Sequence, residues 1–374
     1  MDNGTSNVAE LPDSPRFAPP KWRQISLLWS LQLTRKLVYE FRVYTTACCS
    51  LRLVKTEAVT QGNKMIRYAI LEAPSNLGLR PTGVENSPAT LLELGLGQRL
   101  NARCAGRVEV PAYNVVRDPQ THMLNPEHIA DYAVALADAL EPIFIQGEFP
   151  VVLGGDCSIL LGSLLALRRR GRYGLIFLDG HSDFWTPEED AHGEAASMDL
   201  ALVTGRGPSV VTNLEGRRPL VQVEDVIAVG MRDNEFDLDY LKQNGGLSIP
   251  SELEMITLAD IRQAGFESAM AKVAKFLARD ELDGFWIHLD VDVLEDTIMP
   301  AVDYRMPNGL SWGELVASLK WAISSGRAIG MQVTIYNPNL DPELSAGRSL
   351  VDALIEGLRL PPGQMFYDAA APTC

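Results

Sequence analysis

Cysteine is scarce in this sequence, which has five in 374 residues, an odd number. Disulfide-stapled secreted domains carry more cysteine in a shorter chain, so a disulfide framework is excluded and a reducing compartment is expected. We therefore predict a cytoplasmic protein.

Long apolar runs and excess positive charge are also missing. The most apolar early stretch, residues 25–54, is interrupted by charged residues, so it lacks the run of about 18 uncharged apolar residues that a membrane helix needs. The N-terminus has neither the basic start nor the continuous apolar core of a secretory signal. The net charge of −15 argues against nucleic acid or an anionic membrane as the main partner.

The first 64 residues differ in composition from the rest. They carry more Lys and Arg than Asp and Glu, and residues 1–21 are rich in Pro, Ser and Asn. The composition of residues 1–21 is typical of a disordered segment. We predict that residues 1–64 form a disordered or weakly helical extension, with a targeting arm as the alternative, and that residues 65–374 form one catalytic domain.

From Met65 onward, short apolar runs alternate with amphipathic segments. The runs predicted to be strands are 67–71, 149–153, 173–178, 226–230, 285–289 and 329–335. The predicted helix starts are Ser87-Pro88, Asn125-Pro126, Ser158 and a capping box from Ser311 to Glu314. Continuously apolar strands between amphipathic helices predict a three-layer α/β/α fold with a mostly parallel central sheet.

Polar clusters follow three of these strands where ordinary turn residues would be expected. They are 154–158 (Gly-Gly-Asp-Cys-Ser), 179–183 (Asp-Gly-His-Ser-Asp) and 290–292 (Asp-Val-Asp). Because the carboxyl ends of parallel strands meet at one edge of the sheet, their side chains are expected to converge there.

The residue types at these strand ends suit metal ions. Several carboxylates, an imidazole and a thiol brought together would repel and desolvate one another without cations. Two divalent metals about 3.5–4 Å apart can share bridging carboxylates and activate a water molecule. Asp179, His181 and Asp183 alternate along the chain, so an extended backbone would project them in the same direction.

Each cluster has a simpler interpretation when it is taken alone. Asp290 and Asp292 could cap a helix or lie in a solvated turn, and Cys157 could be an inert buried thiol. Their joint placement at strand ends favours a shared site. Three other histidines, His122, His128 and His288, are read as structural, and His288 is expected to have a core or supporting role.

The three clusters resemble the motifs of the arginase/ureohydrolase family, which includes arginases, agmatinases and formimidoylglutamases. The resemblance spans roughly residues 65 to 360. The family's Gly-Gly-Asp-His-Ser corresponds to residues 154–158, with Cys157 in place of histidine. Its Asp-Ala-His-x-Asp corresponds to 179–183, and its Asp-x-Asp-x-x-Asp-Pro to 290–296. The spacing within each motif is kept.

The resemblance implies an arginase-like fold and a binuclear metal site. The ligands that it implies for one metal are Cys157, Asp179, Asp183 and Asp290, and those for the second are Asp179, His181, Asp290 and Asp292. In the family, a hydroxide between the metals attacks an amidine or guanidine carbon. Asp183 would orient that hydroxide and relay its proton. Manganese is expected by family, whereas the softer Cys157 thiolate favours nickel, zinc, iron or cobalt.

Two departures from the family pattern argue against arginase or agmatinase activity. Ala196 occupies the position of the family's proton-shuttling histidine, and Ile335 that of the glutamate that holds the guanidinium. His192 and Glu194 lie on the same loop as Ala196. We predict that His192 replaces the shuttle and that Glu194 accepts the substrate; a solvated loop is the equal alternative.

The resulting functional prediction is a metal-dependent hydrolase of a non-peptide C–N bond in a linear amidine or guanidino compound. Trp185, in place of a small polar residue, indicates a narrow or apolar pocket, and hence a substrate that is a weakly charged amidine or a substituted guanidine.

The alternative function is a non-catalytic, metal-binding or regulatory subunit. Deacetylase chemistry on the related single-metal fold ranks third. The resemblance also implies a homo-oligomer, either a trimer or a hexamer.

Overall fold

The computed structural model describes residues 66–233 and 249–359. The predicted extension over residues 1–64 lies outside the described residues, as does the segment from residue 360 to the C-terminus. None of the described helices is long and apolar enough to cross a membrane.

The described residues form an eight-stranded sheet in which every paired strand is parallel to its neighbour. The strands are β1 (Tyr68–Ala73), β2 (Arg103–Arg107), β3 (Phe149–Gly154), β4 (Gly174–Leu178), β5 (Val226–Val229), β6 (Glu254–Ile256), β7 (Phe285–Asp290) and β8 (Ala328–Thr334). Their order across the sheet is β2-β1-β3-β8-β7-β4-β5-β6. The predicted α/β fold is therefore confirmed.

Helices cover both faces of this sheet. They are α1 (Ser87–Glu93), α2 (Leu96–Leu100), α3 (Pro126–Ile145), α4 (Leu160–Arg170), α5 (Asp199–Val203), α6 (Ser209–Thr212), α7 (Leu258–Ala264), α8 (Phe266–Leu277), α9 (Trp312–Ser324) and α10 (Ser345–Leu358). Successive strand residues point to opposite faces: Ile176 packs into one hydrophobic core and Phe177 into the other. Burial on both faces explains why the central strands are continuously apolar.

The predicted helix starts hold with two corrections. Ser311 forms the predicted capping box with Glu314. Ser158, however, follows the cap: Asp156 is the N-cap and accepts a hydrogen bond from the Ser158 amide at 2.8 Å. Ser87 likewise lies inside the first turn of α1, after Asn86.

Two strands, β2 and β6, are absent from the sequence prediction. Both lie at the edges of the sheet. β2 consists of Arg-Cys-Ala-Gly-Arg and is largely exposed, and β6 has only three residues. Edge strands bury little apolar surface, so they leave little hydrophobic pattern in the sequence.

The loop after β3 is held tightly against the loop after β1. A Cβ atom built on Gly155 would collide with the backbone of Ser75. The Asp156 amide donates to the Ser75 carbonyl at 3.0 Å, and the Ser75 hydroxyl donates to the Asp156 carboxylate at 2.7 Å. The Ile335 amide donates to the Gly155 carbonyl at 2.8 Å. This packing fixes the path of the loop after β3, and therefore the position of Cys157 relative to the sheet.

We expect Gly155→Ala to destabilise the protein by about 1–3 kcal/mol, because the added methyl group meets backbone that cannot move away freely. The matched control is Gly313→Ala on the exposed first turn of α9, where an added Cβ meets no close neighbour. That control should leave stability unchanged or raise it by up to about 1 kcal/mol. Chemical denaturation of both variants measures the difference, and equal stabilities would contradict this account of the loop.

Candidate metal centre

The structure brings the six predicted ligand residues together at the carboxyl edge of the sheet. Their donor atoms fall into overlapping groups in which all atoms lie within 4.8 Å of one another. The groups are Cys157, Asp179, His288 and Asp290; Cys157, Asp183 and Asp199; and Asp179, His181 and Asp292. Two residues outside the predicted ligand set, Asp199 and His288, belong to these groups.

The β3 and β7 strand ends meet through Cys157. Its thiol donates to the Asp290 carboxylate at 2.9 Å and lies 3.2 Å from the Thr334 hydroxyl. The other Asp290 oxygen accepts the Asp292 amide at 2.8 Å, which caps a short 3-10 turn. Asp290 therefore caps the turn that follows it with one carboxylate oxygen and contacts the Cys157 thiol with the other.

The β4 strand end supplies His181 and the two flanking acids. His181 Nδ1 lies 2.8 Å from an Asp292 oxygen, and the His181 amide donates to Asp179 at 2.7 Å. The predicted extended backbone is wrong at Asp183, which has a left-handed conformation with φ of 47°. The chain turns there, and the turn directs the Asp183 carboxylate toward Cys157 and Asp199.

A buried arginine that the sequence analysis did not single out supports the Asp292 loop. The Arg232 guanidinium donates to the backbone carbonyls of Asp292 at 2.7 Å and Leu294 at 3.1 Å, and it also reaches Met306 at 3.0 Å. Burial raises the pKa of Asp292, but the charges of His181 and Arg232 outweigh burial and hold that pKa below its usual range. Arg232 follows β5 without any motif around it, so only its contacts reveal its role.

A chain of hydrogen bonds fixes the tautomer of His288. The Trp286 indole, which can only donate, gives its N–H to Gln332 Oε1 at 3.1 Å. This leaves Gln332 Nε2 to donate to His288 Nδ1, 2.8 Å away. Burial lowers the pKa of His288 to about 3, so the ring is neutral and its proton lies on Nε2. Nε2 lies 3.6 Å from an Asp179 oxygen, so its N–H is placed to stabilise the negative charge of that carboxylate.

The acids at this edge repel one another when no cation is present. Burial, followed by the charges of neighbouring acids, raises the pKa values of Asp179, Asp183 and Asp290 well above the usual range. Burial and then Asp290 raise the pKa of the Cys157 thiol. One Asp179 oxygen is buried without a hydrogen-bond partner among the described residues. Divalent cations would relieve each of these costs, so the donor set fits a metal pair.

A cavity of about 190 Å³ opens onto this cluster. Its other walls include His192, Glu194, Trp185, Tyr304 and Ile335. The structure thus brings the two predicted loop residues, His192 and Glu194, to the site. Ile335 adopts a left-handed backbone, with φ of 70°, at the cavity wall.

The surroundings of Glu194 and His192 include a shared arginine. One Glu194 oxygen accepts the Tyr304 hydroxyl at 2.7 Å, and the other accepts the Arg80 amide at 3.2 Å. The Arg80 guanidinium lies 3.6 Å from Glu194 and 2.7 Å from His192 Nδ1. Because arginine only donates, His192 presents an unprotonated Nδ1 to it.

A profile described as "Arginase family" matches residues 66–356, which is most of the chain. The chain belongs to the arginase family. The predicted family resemblance is thereby confirmed, and membership places the chain among ureohydrolase-like hydrolases.

Three relatives show the extent of this likeness. An arginase of Staphylococcus aureus (strain COL) is 29% identical over 281 residues, which cover 73% of this chain and 90% of that protein. The Bacillus caldovelox arginase structure superposes with a TM-score of 0.70 at 24% identity, over 80% of this chain and 100% of that chain. Formimidoylglutamase from Bacillus subtilis superposes with a TM-score of 0.58 at 18% identity, over 79% and 87%. The two structural matches show a shared fold, and they carry different enzyme names.

We expect metal removal to make the stability of the protein depend on pH in a window that begins near pH 7, above the unfolded pKa of histidine. Asp179, Asp183, Asp199 and Asp290 have pKa values raised by burial. The folded chain therefore keeps protons that the unfolded chain has lost, and the free energy of unfolding falls as pH rises. His288, with its lowered pKa, acts in the opposite direction, but only below its unfolded pKa of about 6.5.

Thermal unfolding with and without chelator measures this effect. The chelated protein should lose melting temperature across the window, whereas bound metals replace the protons and flatten the curve. Asp290→Asn, with one acid fewer, should show a shallower fall after chelation. Parallel curves for the chelated and metal-loaded protein would rule out the proposed repulsion.

Proposed function

We propose that this protein hydrolyses a non-peptide C–N bond in a linear amidine or guanidino compound, using water activated between two divalent metal ions. The observation that carries the proposal is the convergence of donor atoms from three strand ends within 4.8 Å of one another. A buried cluster of this acidity without cations would have a desolvation cost and no benefit.

The proposed ligands are the six residues of the family pattern. They are Cys157, Asp179, Asp183 and Asp290 for one metal, and Asp179, His181, Asp290 and Asp292 for the other. Bound there, two divalent cations would neutralise the carboxylates and lower the pKa of a water molecule toward neutrality. Manganese is the metal expected by family, and the Cys157 thiolate widens the choice to nickel, zinc, iron and cobalt.

The residues of the cavity wall have separate proposed roles. Asp183 would accept a proton at its carboxylate, and His192 would carry it between the cavity and solvent, because its side chain is exposed. Trp185 and Tyr304 would exclude bulk water from the cavity. Glu194 would contact the substrate through the oxygen that now accepts the Tyr304 hydroxyl.

The charge of the cavity argues against an arginine-like substrate. Ile335 presents an apolar side chain at the wall, and the Glu194 carboxylate is already compensated by Arg80. Among the residues that line the cavity, the remaining carboxylate apart from the metal ligands and Glu194 is Asp190, whose oxygens already accept the His192 amide and the Ser197 hydroxyl. A weakly charged amidine, or a substituted or hydroxylated guanidine, fits this wall better.

The second candidate function is a non-catalytic metal-binding or regulatory subunit. It is favoured by Ala196 and Ile335, which stand where the family pattern has a proton shuttle and a guanidinium-binding acid. We further propose a cytoplasmic homo-oligomer, a trimer or hexamer, on the family resemblance.

We expect about two metal ions per chain in protein purified without chelator, and fewer than one in Asp290→Asn, since Asp290 belongs to both proposed ligand sets. Elemental analysis measures the content, and Asp225→Asn is the matched control. Asp225 is also fully buried, but its carboxylate pairs with Arg172 and Arg279 away from the site. A wild-type chain that stays metal-free after incubation with manganese, nickel, zinc and cobalt would refute the hydrolase proposal.

We expect His192→Ala to lower kcat by about 10²–10⁴ on an amidine found by screening for released urea or ammonia, because the proton carrier is lost. Glu194→Gln should chiefly raise KM, because it removes a substrate contact. Glu188→Gln, an exposed residue of the same loop, serves as the control. Unchanged kcat and KM in both test variants would leave this loop without a catalytic role.

A further inference from the structure

One buried carboxylate beside the candidate metal centre has no structural function that its contacts explain. Asp199 is completely buried, and neither of its carboxylate oxygens has a hydrogen-bond partner among the described residues. No described Lys or Arg forms an ion pair with it. A buried charge in this situation is costly unless it is paired or coordinates a metal.

The carboxylate of Asp199 is directed at the thiol side of the centre. Its oxygen, the Cys157 sulfur and an Asp183 oxygen all lie within 4.8 Å of one another. The backbone fixes this arrangement: the Ala201 amide, in the first turn of α5, donates to the Asp183 carbonyl at 3.1 Å. The helix that begins with Asp199 is thus tied to the loop that carries Asp183.

Other buried acids near the centre do have structural partners. Asp156 accepts the Ser75 hydroxyl and the Ser158 amide, and Asp233 accepts both the amide and the hydroxyl of Ser182. Asp199 differs from them because the side-chain groups that lie with its carboxylate are the Asp183 carboxylate and the Cys157 thiol. Its carboxylate faces the other acids of the cluster, and no described basic side chain pairs with it, which is the environment of a cation ligand.

We propose that Asp199 is an additional carboxylate ligand of the metal beside Cys157, completing that position together with Asp183. The inference rests on the proposed metal-dependent function and goes beyond it, because the family pattern supplies no ligand from this segment. The metal position beside Cys157 would then differ from the family pattern in two ways. A thiolate replaces a neutral histidine, and the Asp199 carboxylate adds a further anionic ligand. Such a set favours metals that accept both thiolate and carboxylate, among them zinc, iron and cobalt.

The test is a titration of cobalt(II) into the chelator-treated full-length protein. Cobalt(II) bound to a thiolate absorbs in the near ultraviolet through charge transfer, so the spectrum reports the Cys157 position separately from total binding. Cys157→Ser identifies the band. Asp199→Asn keeps the shape of the side chain and removes its charge, and Asp199→Leu also removes oxygen coordination.

If Asp199 is a ligand, Asp199→Asn should weaken binding at the thiol position by more than about 100-fold, beyond the effect typical of a supporting residue. The charge-transfer band should shift or disappear, and Asp199→Leu should bind about one cobalt where the wild type binds about two. The Asp225→Asn control should keep the wild-type spectrum and stoichiometry.

Wild-type spectra and stoichiometry in both Asp199 variants would overturn the proposal while leaving the six-ligand site intact. The same result would favour a carboxyl group that only shares a proton with Asp183. A wild-type protein that binds no cobalt would instead refute the proposed function itself, so the two failures are distinguishable. Melting temperatures of the chelated variants confirm folding, and removal of the unpaired charge should raise them.

Discussion

Repulsion among buried acids at one edge of the sheet is the constraint on which the rest of the site depends. Asp179 and Asp290 lie within 4.8 Å of a thiol, and no described Lys or Arg pairs with either of them. Such a cluster is stable only if protons or cations compensate its charge. Metal binding is therefore linked to folding, because the same ions that would activate water also remove a cost from the folded state.

The fold meets this constraint by making the surrounding loops rigid. Gly155 packs against the β1 loop, Arg232 bonds to the backbone after β7, and the Trp286–Gln332–His288 chain sets a ring proton toward Asp179. Each of these contacts is made to the backbone or to a supporting side chain, and none of them uses up the atoms proposed to bind metal. A cluster held in this way cannot relax by moving apart, so its charge must be compensated by bound protons or bound cations.

The chain keeps the scaffold of the arginase family and differs where chemistry is selected. Cys157 would change the softness of one proposed metal position, and the Asp199 carboxylate lies near that thiol from a different segment. At the far wall, Ile335 removes an acid that the family pattern uses for guanidinium. The family fold therefore does not determine the substrate of this protein, because the residues that distinguish substrates lie on loops and not on the strands.

The sequence by itself determined the parallel α/β fold and six convergent side chains, because buried strands leave continuous apolar runs and their carboxyl ends share one edge. It did not identify edge strands such as β2, whose exposed residues carry no hydrophobic pattern. Only the tertiary structure decided that Asp199 joins Cys157, that Arg232 supports Asp292, and how His288 carries its proton. These contacts join residues distant in sequence, and their meaning depends on burial and on hydrogen bonds that form after the chain has folded.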